Sequence, residues 1–324
     1  MLISKPTSGV YTAEKMITIV EQASKIFNEV MRNHSIGLLT SPHDFHTGGQ
    51  TIIPASREGE VSLAEKLFDL FFPRAESGVY YHYMPFDSFE KVMSFRSIRL
   101  FSTKKKDSIG EFITFCRDLG LDGYWREVTD GNPEGIHAEL MDDLFYKSFV
   151  SCPNTNAEEL WETFADQGHG VRLAVQIDTA PGYPDFRHVS YQGNFFITIL
   201  AELQEKFATA GFQFNPQGIS RMPAYYQEGR FSHHNEVRLL VKRPSYDDGF
   251  FSNFFSKTEL AAFFPFAVNR DGDQQCNYID GSLQAQTCSW FQLRLVGVVP
   301  GPSCDSAKHN RVLNEFTWAN LHRP

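Results

Sequence analysis

The chain has 324 residues, of which 42% are hydrophobic and 21% charged, with a formal net charge of -9. That balance suits a soluble globular protein, and 30 phenylalanines supply much of the core. It excludes a protein coated in basic residues for non-specific nucleic-acid binding, though not a local basic groove.

No run of about 18 uncharged apolar residues occurs, so no membrane span is expected. The opening Met-Leu-Ile-Ser-Lys-Pro-Thr-Ser-Gly lacks a secretory pattern, and a cytoplasmic protein is expected. The five cysteines, Cys116, Cys152, Cys276, Cys288 and Cys304, include no C-x-x-C pair, which predicts free, mostly buried thiols. Lys104-Lys-Lys106 is the one basic cluster and reads as a solvated turn.

In chain order, the spacing of Met16, Ile19, Val20, Ala23, Ile26, Phe27 and Val30 predicts an amphipathic helix over 12–33. Residues 40–60 are rich in turn formers and read as a loop. A short helix over 62–72 follows, with Ser62 as cap and Glu65 three residues on. Residues 1–77 thus read as a helical N-terminal extension, and 78–324 as the main α+β domain.

That domain opens on an aromatic strand, Val79-Tyr-Tyr-His-Tyr-Met84, followed by a helix over 87–95 with Phe89, Val92, Met93 and Phe95 turned inward. Strands are predicted at 97–102 and 145–152, a helix capped by Asn156 over 156–166, and an alternating strand at 170–177. Further strands are expected at 188–191, 236–241 and 293–299. In Asn235-Glu-Val-Arg-Leu-Leu-Val-Lys242, period-2 alternation places Glu236 and Arg238 on one face and Val237, Leu239 and Val241 on the other. A carboxylate and a guanidinium in mid-strand read either as an ordinary surface ion pair or as a site.

Several pieces occur in a defined order: Tyr80-Tyr-His-Tyr83, Ile98-Arg-Leu100, Ser148-Phe-Val-Ser-Cys152, Leu160-Trp-x-x-Phe-Ala-Asp-x-x-His-Gly-Val171, Asn235-Glu-Val-Arg238 and Val299-Pro-Gly-Pro302. Over about residues 79 to 304 the series resembles a bacterial domain family of unknown function. Phe164 stands where that family has Tyr, and 269–289 does not align with it.

The layout of that domain is in turn similar to the ADP-ribosyltransferase fold, a split β-sheet core whose NAD site takes one residue from each of three strands. The resemblance implies Glu236, His82 and Ser151 as the catalytic set. Tyr81, His82, Tyr83, Ser151 and Arg238 would bind NAD. Glu236 would stabilise an oxocarbenium-like transition state at the ribose. His82 would bond an NAD ribose or phosphate, Ser151 would orient Glu236, and Tyr81 and Tyr83 would stack on nicotinamide or adenine. Arg238 would pair with a phosphate or with Glu236.

Tyr225, Tyr226, Arg230, Phe231, His233 and His234 lie where transferases of that fold meet their acceptor. The first four would stack on or pair with a base, and the two histidines would serve as acid or base. NAD is therefore the expected co-substrate and RNA or DNA the preferred acceptor over protein. A bacterial toxin or phage-defence effector is implied, with a neutralising antitoxin as a possible protein partner. A catalytically silent nucleotide-sensing or interaction module and an NAD glycohydrolase are the alternatives. No metal is expected: His43-Asp-Phe-His46 lies in a turn without a third ligand. No Walker A or G-x-G-x-x-G phosphate loop is present.

Overall fold

The computed structural model describes residues 12–56, 59–95, 97–103, 108–119, 144–151, 157–179, 185–217, 221–242, 255–256, 261–265, 277–279, 282–284 and 291–321. They form helices and open sheets in two compact units. The first unit comprises Met1–Pro73, Glu111–Pro133 and Ser190–Gly229, and the second Arg74–Gly110, Glu134–Val189 and Arg230–Pro324. Lys104-Lys-Lys106, Cys152, Cys276, Cys288 and the Asn156 cap lie outside the described residues, as does the side chain of Phe95. Of 269–289, only the antiparallel pair Asn277–Ile279 and Ser282–Gln284 is described. Cys116 is a buried free thiol and Cys304 a half-buried one.

In the first unit, the helix Ala13–Asn33 starts where the Thr12 hydroxyl accepts from the Lys15 amide, and buries Ile19, Ala23, Phe27 and Val30. Met16 stays on the exposed side. Ser62 caps the helix Leu63–Phe71 by accepting from the Glu65 amide at 3.2 Å. Both helices share their unit with Phe195–Thr209, whose Ile197, Leu200, Leu203 and Phe207 are buried.

The loop expected over 40–60 instead contains an antiparallel hairpin, Phe45–Gly48 with Thr51–Pro54. Gly49, at φ +70°, supplies the left-handed residue that a two-residue turn demands. The turn formers of this stretch suit the hairpin, but its four-residue arms are too short to show an alternation.

The second unit is built on a nine-stranded sheet. Its strands are β1 (Gly78–Met84), β2 (Ser97–Ser102), β3 (Leu144–Val150), β4 (Val171–Thr179), β5 (Asp185–His188), β6 (Glu236–Lys242), β7 (Phe255–Ser256), β8 (Ala261–Pro265) and β9 (Phe291–Pro300). The order is β7-β8-β2-β3-β1-β4-β9, and β6 pairs with both β3 and β5. One face carries the main core, including Tyr80, Phe145, Phe149, Leu173, Val175, Val237 and Leu239. The helix Phe86–Phe95 adds Phe89 and Val92 to that core, with Met93 packed against it.

The opposite face holds a smaller cluster of Tyr83, Val150, Leu160 and Ala165, against which Tyr81 and Trp161 pack. Trp161, on the helix Ala157–Phe164, meets the Tyr83 ring edge-on at 5.0 Å. The conspicuous Trp and Ala of the Leu160 to Val171 motif are therefore packing residues.

The glycines of the same motif allow backbone to meet backbone. A Cβ on Gly170 would lie 2.2 Å from the Met84 carbonyl oxygen, and one on Gly301 would lie 2.1 Å from that of Gly168. The Gly301 amide donates to the Gly170 carbonyl at 2.9 Å, tying the end of β9 to the start of β4. Gly170→Ala and Gly301→Ala are each expected to cost at least about 3 kcal/mol, because backbone cannot yield as a side chain can. Urea unfolding against Gly37→Ala, where a Cβ meets nothing within 4 Å, measures the difference.

Candidate functional site

The site is organised by an uneven pairing along β3. One edge pairs with β6 over its whole length, from Leu144 opposite Lys242 to Val150 opposite Glu236. The other edge is shared: β2 pairs at Phe145 and Tyr146, while β1 pairs only at Val150, opposite Tyr81. Between those contacts the ladder is open, and the His82 side chain takes a place there. Its Nδ1 lies 2.9 Å from the Ser148 carbonyl oxygen. A carbonyl only accepts, so Nδ1 carries the proton and Nε2 presents a lone pair.

Burial, and then the nearby Lys147 charge, hold the His82 imidazole well below its ordinary range, against the opposing pull of the Ser148 bond. The ring is therefore neutral at neutral pH. A neutral imidazole with a free Nε2 suits a ribose hydroxyl rather than a phosphate.

Lys147 is 8% exposed and shares the core face with Phe145 and Phe149. Its Nζ and the Arg99 guanidinium each lie 5.3 Å from the centre of the Phe101 ring. Burial first, and the Arg99 charge second, bring the Lys147 ammonium down to about 7. The sign of its linkage follows. Between about 7 and the ordinary lysine value near 10.5 the unfolded chain binds more protons, so this group makes stability rise with pH across that window. Lys147→Met is expected to stabilise the protein by about 1–4 kcal/mol at pH 7, with the gain shrinking toward pH 10. Thermal unfolding of both proteins across that range checks it.

On the other face, Glu236 opens β6. Asn235, at φ +48°, turns the chain into the strand, and its carbonyl accepts from both the amide and the hydroxyl of Ser151 at 3.2 and 3.1 Å. Asn tolerates this left-handed conformation better than most residues. Ser151 thus fixes the backbone that precedes Glu236.

Arg238 Nε donates to Glu236 Oε1 at 2.7 Å, and its Nη2 lies 3.5 Å from Oε2. Both side chains are buried, at 8% and 2% exposed, so this is not a surface ion pair. The guanidinium also lies 5.1 Å from the centre of the Tyr146 ring. The neighbouring β5 repeats the pattern, with Arg187 Nε donating to Asp185 Oδ1 at 2.9 Å and Arg187 in register with Arg238. Two carboxylate–guanidinium pairs therefore lie side by side on one buried face.

Register also relates the expected NAD-binding residues. Tyr81, Val150 and Glu236 stand opposite one another across β1, β3 and β6, so Tyr81 and Glu236 share a face with one strand between them. Tyr83 shares that face, and the Arg172 guanidinium lies 5.3 Å from the centre of the Tyr81 ring. His82, one residue along, belongs to the core face, where its ring meets Phe149 edge-on at 5.8 Å. His82 and Glu236 come from β1 and β6 and Ser151 directly follows β3, the strand between them, but His82 departs from the face that Glu236 occupies.

The expected acceptor segment divides between the units at Gly229. Tyr225 and Tyr226 are fully buried. Tyr225 packs on Phe68 and Phe72, and Tyr226 on Phe115 with its hydroxyl donating to Asp118. Burial, then that bond, raise the Tyr226 phenol above its ordinary range. Stacking of these two rings on an acceptor base is thereby corrected: they fill a core, as Tyr does when its hydroxyl finds a partner.

Arg230, exposed, lies 4.6 Å from the centre of the half-buried Phe231 ring. His233 Nε2 is 2.7 Å from Glu159 Oε2, and His234 Nε2 is 3.3 Å from Glu159 Oε1. These bonds, His233's first, lower the Glu159 carboxyl below its ordinary range. His43 and His46 join no group of three ligating side chains among the described residues.

Lys147, Arg99, Arg172, the Asp185–Arg187 pair and Glu159 were not anticipated. Only Asp185-Phe-Arg187 carries a signal in sequence, the same acid-x-Arg spacing as Glu236-Val-Arg238. No protein-family model, curated protein or solved structure matches the chain.

Proposed function

We propose that the second unit is an ADP-ribosyltransferase-like catalytic domain that cleaves NAD and transfers ADP-ribose to a macromolecule, with RNA or DNA preferred over protein. The observation that carries this reading is the placement of Glu236: a buried carboxylate at the head of β6, fixed by Arg238 and sharing a face with Tyr81 across one intervening strand. The split pairing along the far edge of β3 supports it.

In this reading the bond between nicotinamide and ribose C1′ breaks, and its electron pair leaves with nicotinamide. The ring departs neutral, so no general acid is needed, unlike the two-carboxylate glycosidases. Positive charge developing on the ribose is stabilised by Glu236, and an acceptor nucleophile bonds to C1′ and loses its proton to water. Tyr81 offers a ring for the nicotinamide or adenine. His82 would reach the dinucleotide from the gap in the sheet, through Nε2. Such an enzyme would act as a toxin or phage-defence effector, and an antitoxin would restrain it by covering Glu236.

The test is NAD labelled in its adenosine half, incubated with cell extract separated into nucleic-acid and protein fractions. Label in the nucleic-acid fraction, lost with Glu236→Gln, supports the reading as stated. Label only in free ADP-ribose makes the protein a glycohydrolase. A catalytically silent module is the second reading, favoured by one observation: both Glu236 oxygens face Arg238 and the carboxylate is almost wholly enclosed. It predicts no turnover in any fraction.

A further inference from the structure

We propose that Glu159, His233 and His234 bind one divalent transition ion, zinc by the character of the donors, with at least one coordination position open to solvent. The proposal is independent of NAD cleavage and would stand if that reading failed.

The three side chains come from two elements of the second unit. Glu159 projects from the first turn of the helix Ala157–Phe164, and the two histidines end the 3-10 segment Gly229–His234. Each offers one ligand atom, and the three atoms all lie within 4.8 Å of one another. Both imidazoles present Nε2 to the same carboxylate, one to each oxygen, at 2.7 and 3.3 Å. An ion with bonds of about 2.0–2.1 Å to tetrahedrally arranged donors holds those donors roughly 3.3 Å apart. The separation of His234 Nε2 from Glu159 Oε1, 3.3 Å, already has that value, and the three ligand atoms, one from each residue, lie within 4.8 Å of one another.

The rings are fixed without an ion. His234 is buried, with Phe231 at 5.6 Å and Phe164 at 6.0 Å between ring centres, and His233 meets it edge-on at 4.5 Å. That packing reduces the ordering an ion would have to impose. The side chains of His233 and Glu159 are 36% and 47% exposed, which gives the ion an entry path and a position for water or a substrate atom. Two imidazoles and one carboxylate favour zinc, nickel or cobalt over the oxygen-seeking magnesium and calcium. The same donor count with an open position is the pattern of catalytic rather than structural zinc.

The experiment uses the full chain, freed of metal with a chelator and titrated with zinc by calorimetry. Cobalt(II) follows as a spectroscopic probe, with magnesium as the control. One equivalent of zinc should bind, cobalt should give the visible absorption of a low-coordinate nitrogen and oxygen site, and magnesium should give no heat. Glu159→Gln, His233→Ala and His234→Ala should each weaken zinc at least about tenfold. His43→Ala with His46→Ala should leave it unchanged, which separates this site from the other closely spaced histidine pair. Glu159 and His233 are exposed enough that their variants keep the fold, and circular dichroism confirms it. Zinc binding that survives all three single substitutions, or no stoichiometric binding to wild type, overturns the proposal. The cluster is then a hydrogen-bonded contact only.

Discussion

Arg238→Ala is expected to lower the unfolding free energy by about 3–5 kcal/mol, the range for breaking a buried ion pair from one side. The guanidinium is 2% exposed and reaches both oxygens of Glu236, so its removal takes these charge-assisted bonds from a carboxylate that is itself only 8% exposed. Arg187 stands directly across the sheet, but its Nε is held by Asp185. The Glu236 charge would then lose this guanidinium while Asp185 keeps its bond from Arg187. Removing both partners avoids that imbalance, and Glu236→Gln with Arg238→Met should recover most of the loss. Urea unfolding of Glu236→Gln, Arg238→Met and the variant that carries both reads the coupling. Near-additive losses would show that the pair is solvated and that Glu236 is not held as described.

Glu236→Gln is expected to reduce nicotinamide release by about 10²- to 10³-fold, the usual effect of removing one preorganised electrostatic group from a transition state. The loss should fall on kcat with KM for NAD nearly unchanged, because the amide keeps the shape of the site and lacks only the charge that the ribose calls for late in the reaction. The glutamine oxygen can still accept from Arg238 Nε, and urea unfolding of the same variant separates the loss of rate from any loss of stability. A variant as active as wild type would remove Glu236 from the chemistry.

Much of the second unit was legible because its strands carry their own signals. Val79 to Met84 and Ser97 to Ser102 fall within β1 and β2, and the alternating run expected over 170–177 meets β4 from Val171 on. Glu236 and Arg238 were placed on one face by alternation alone, and they do pair there. What alternation could not show is that both faces of β6 are buried, since a strand reads as half-exposed whenever one face is charged.

Lys147 illustrates the same limit. It reads as a polar residue among aromatics, and its burial follows from its register opposite the core residue Leu239, which the sequence does not display. Tyr225 and Tyr226 looked like a stacking platform because a polar loop follows them, yet Phe68, Phe72 and Phe115 from distant segments enclose them. Glu159 and His233 are 74 residues apart, and no local spacing joins a helix's first turn to a strand's approach. The helix Phe195–Thr209 was not anticipated, since its buried Ile197, Ile199, Leu200 and Leu203 mix strand-like and helix-like spacings.

The central claim is that the face shared by Glu236 and Tyr81 cleaves NAD, and the time course of nicotinamide release tests it most directly. Wild type, Glu236→Gln and the control Gly37→Ala, where an added Cβ meets nothing within 4 Å, would be followed with and without nucleic acid from the same cells. The account predicts release by wild type that nucleic acid accelerates, loss of about 10²-fold or more in Glu236→Gln, and retained cleavage in Gly37→Ala. Folded wild-type protein that releases no nicotinamide under any of these conditions would contradict it.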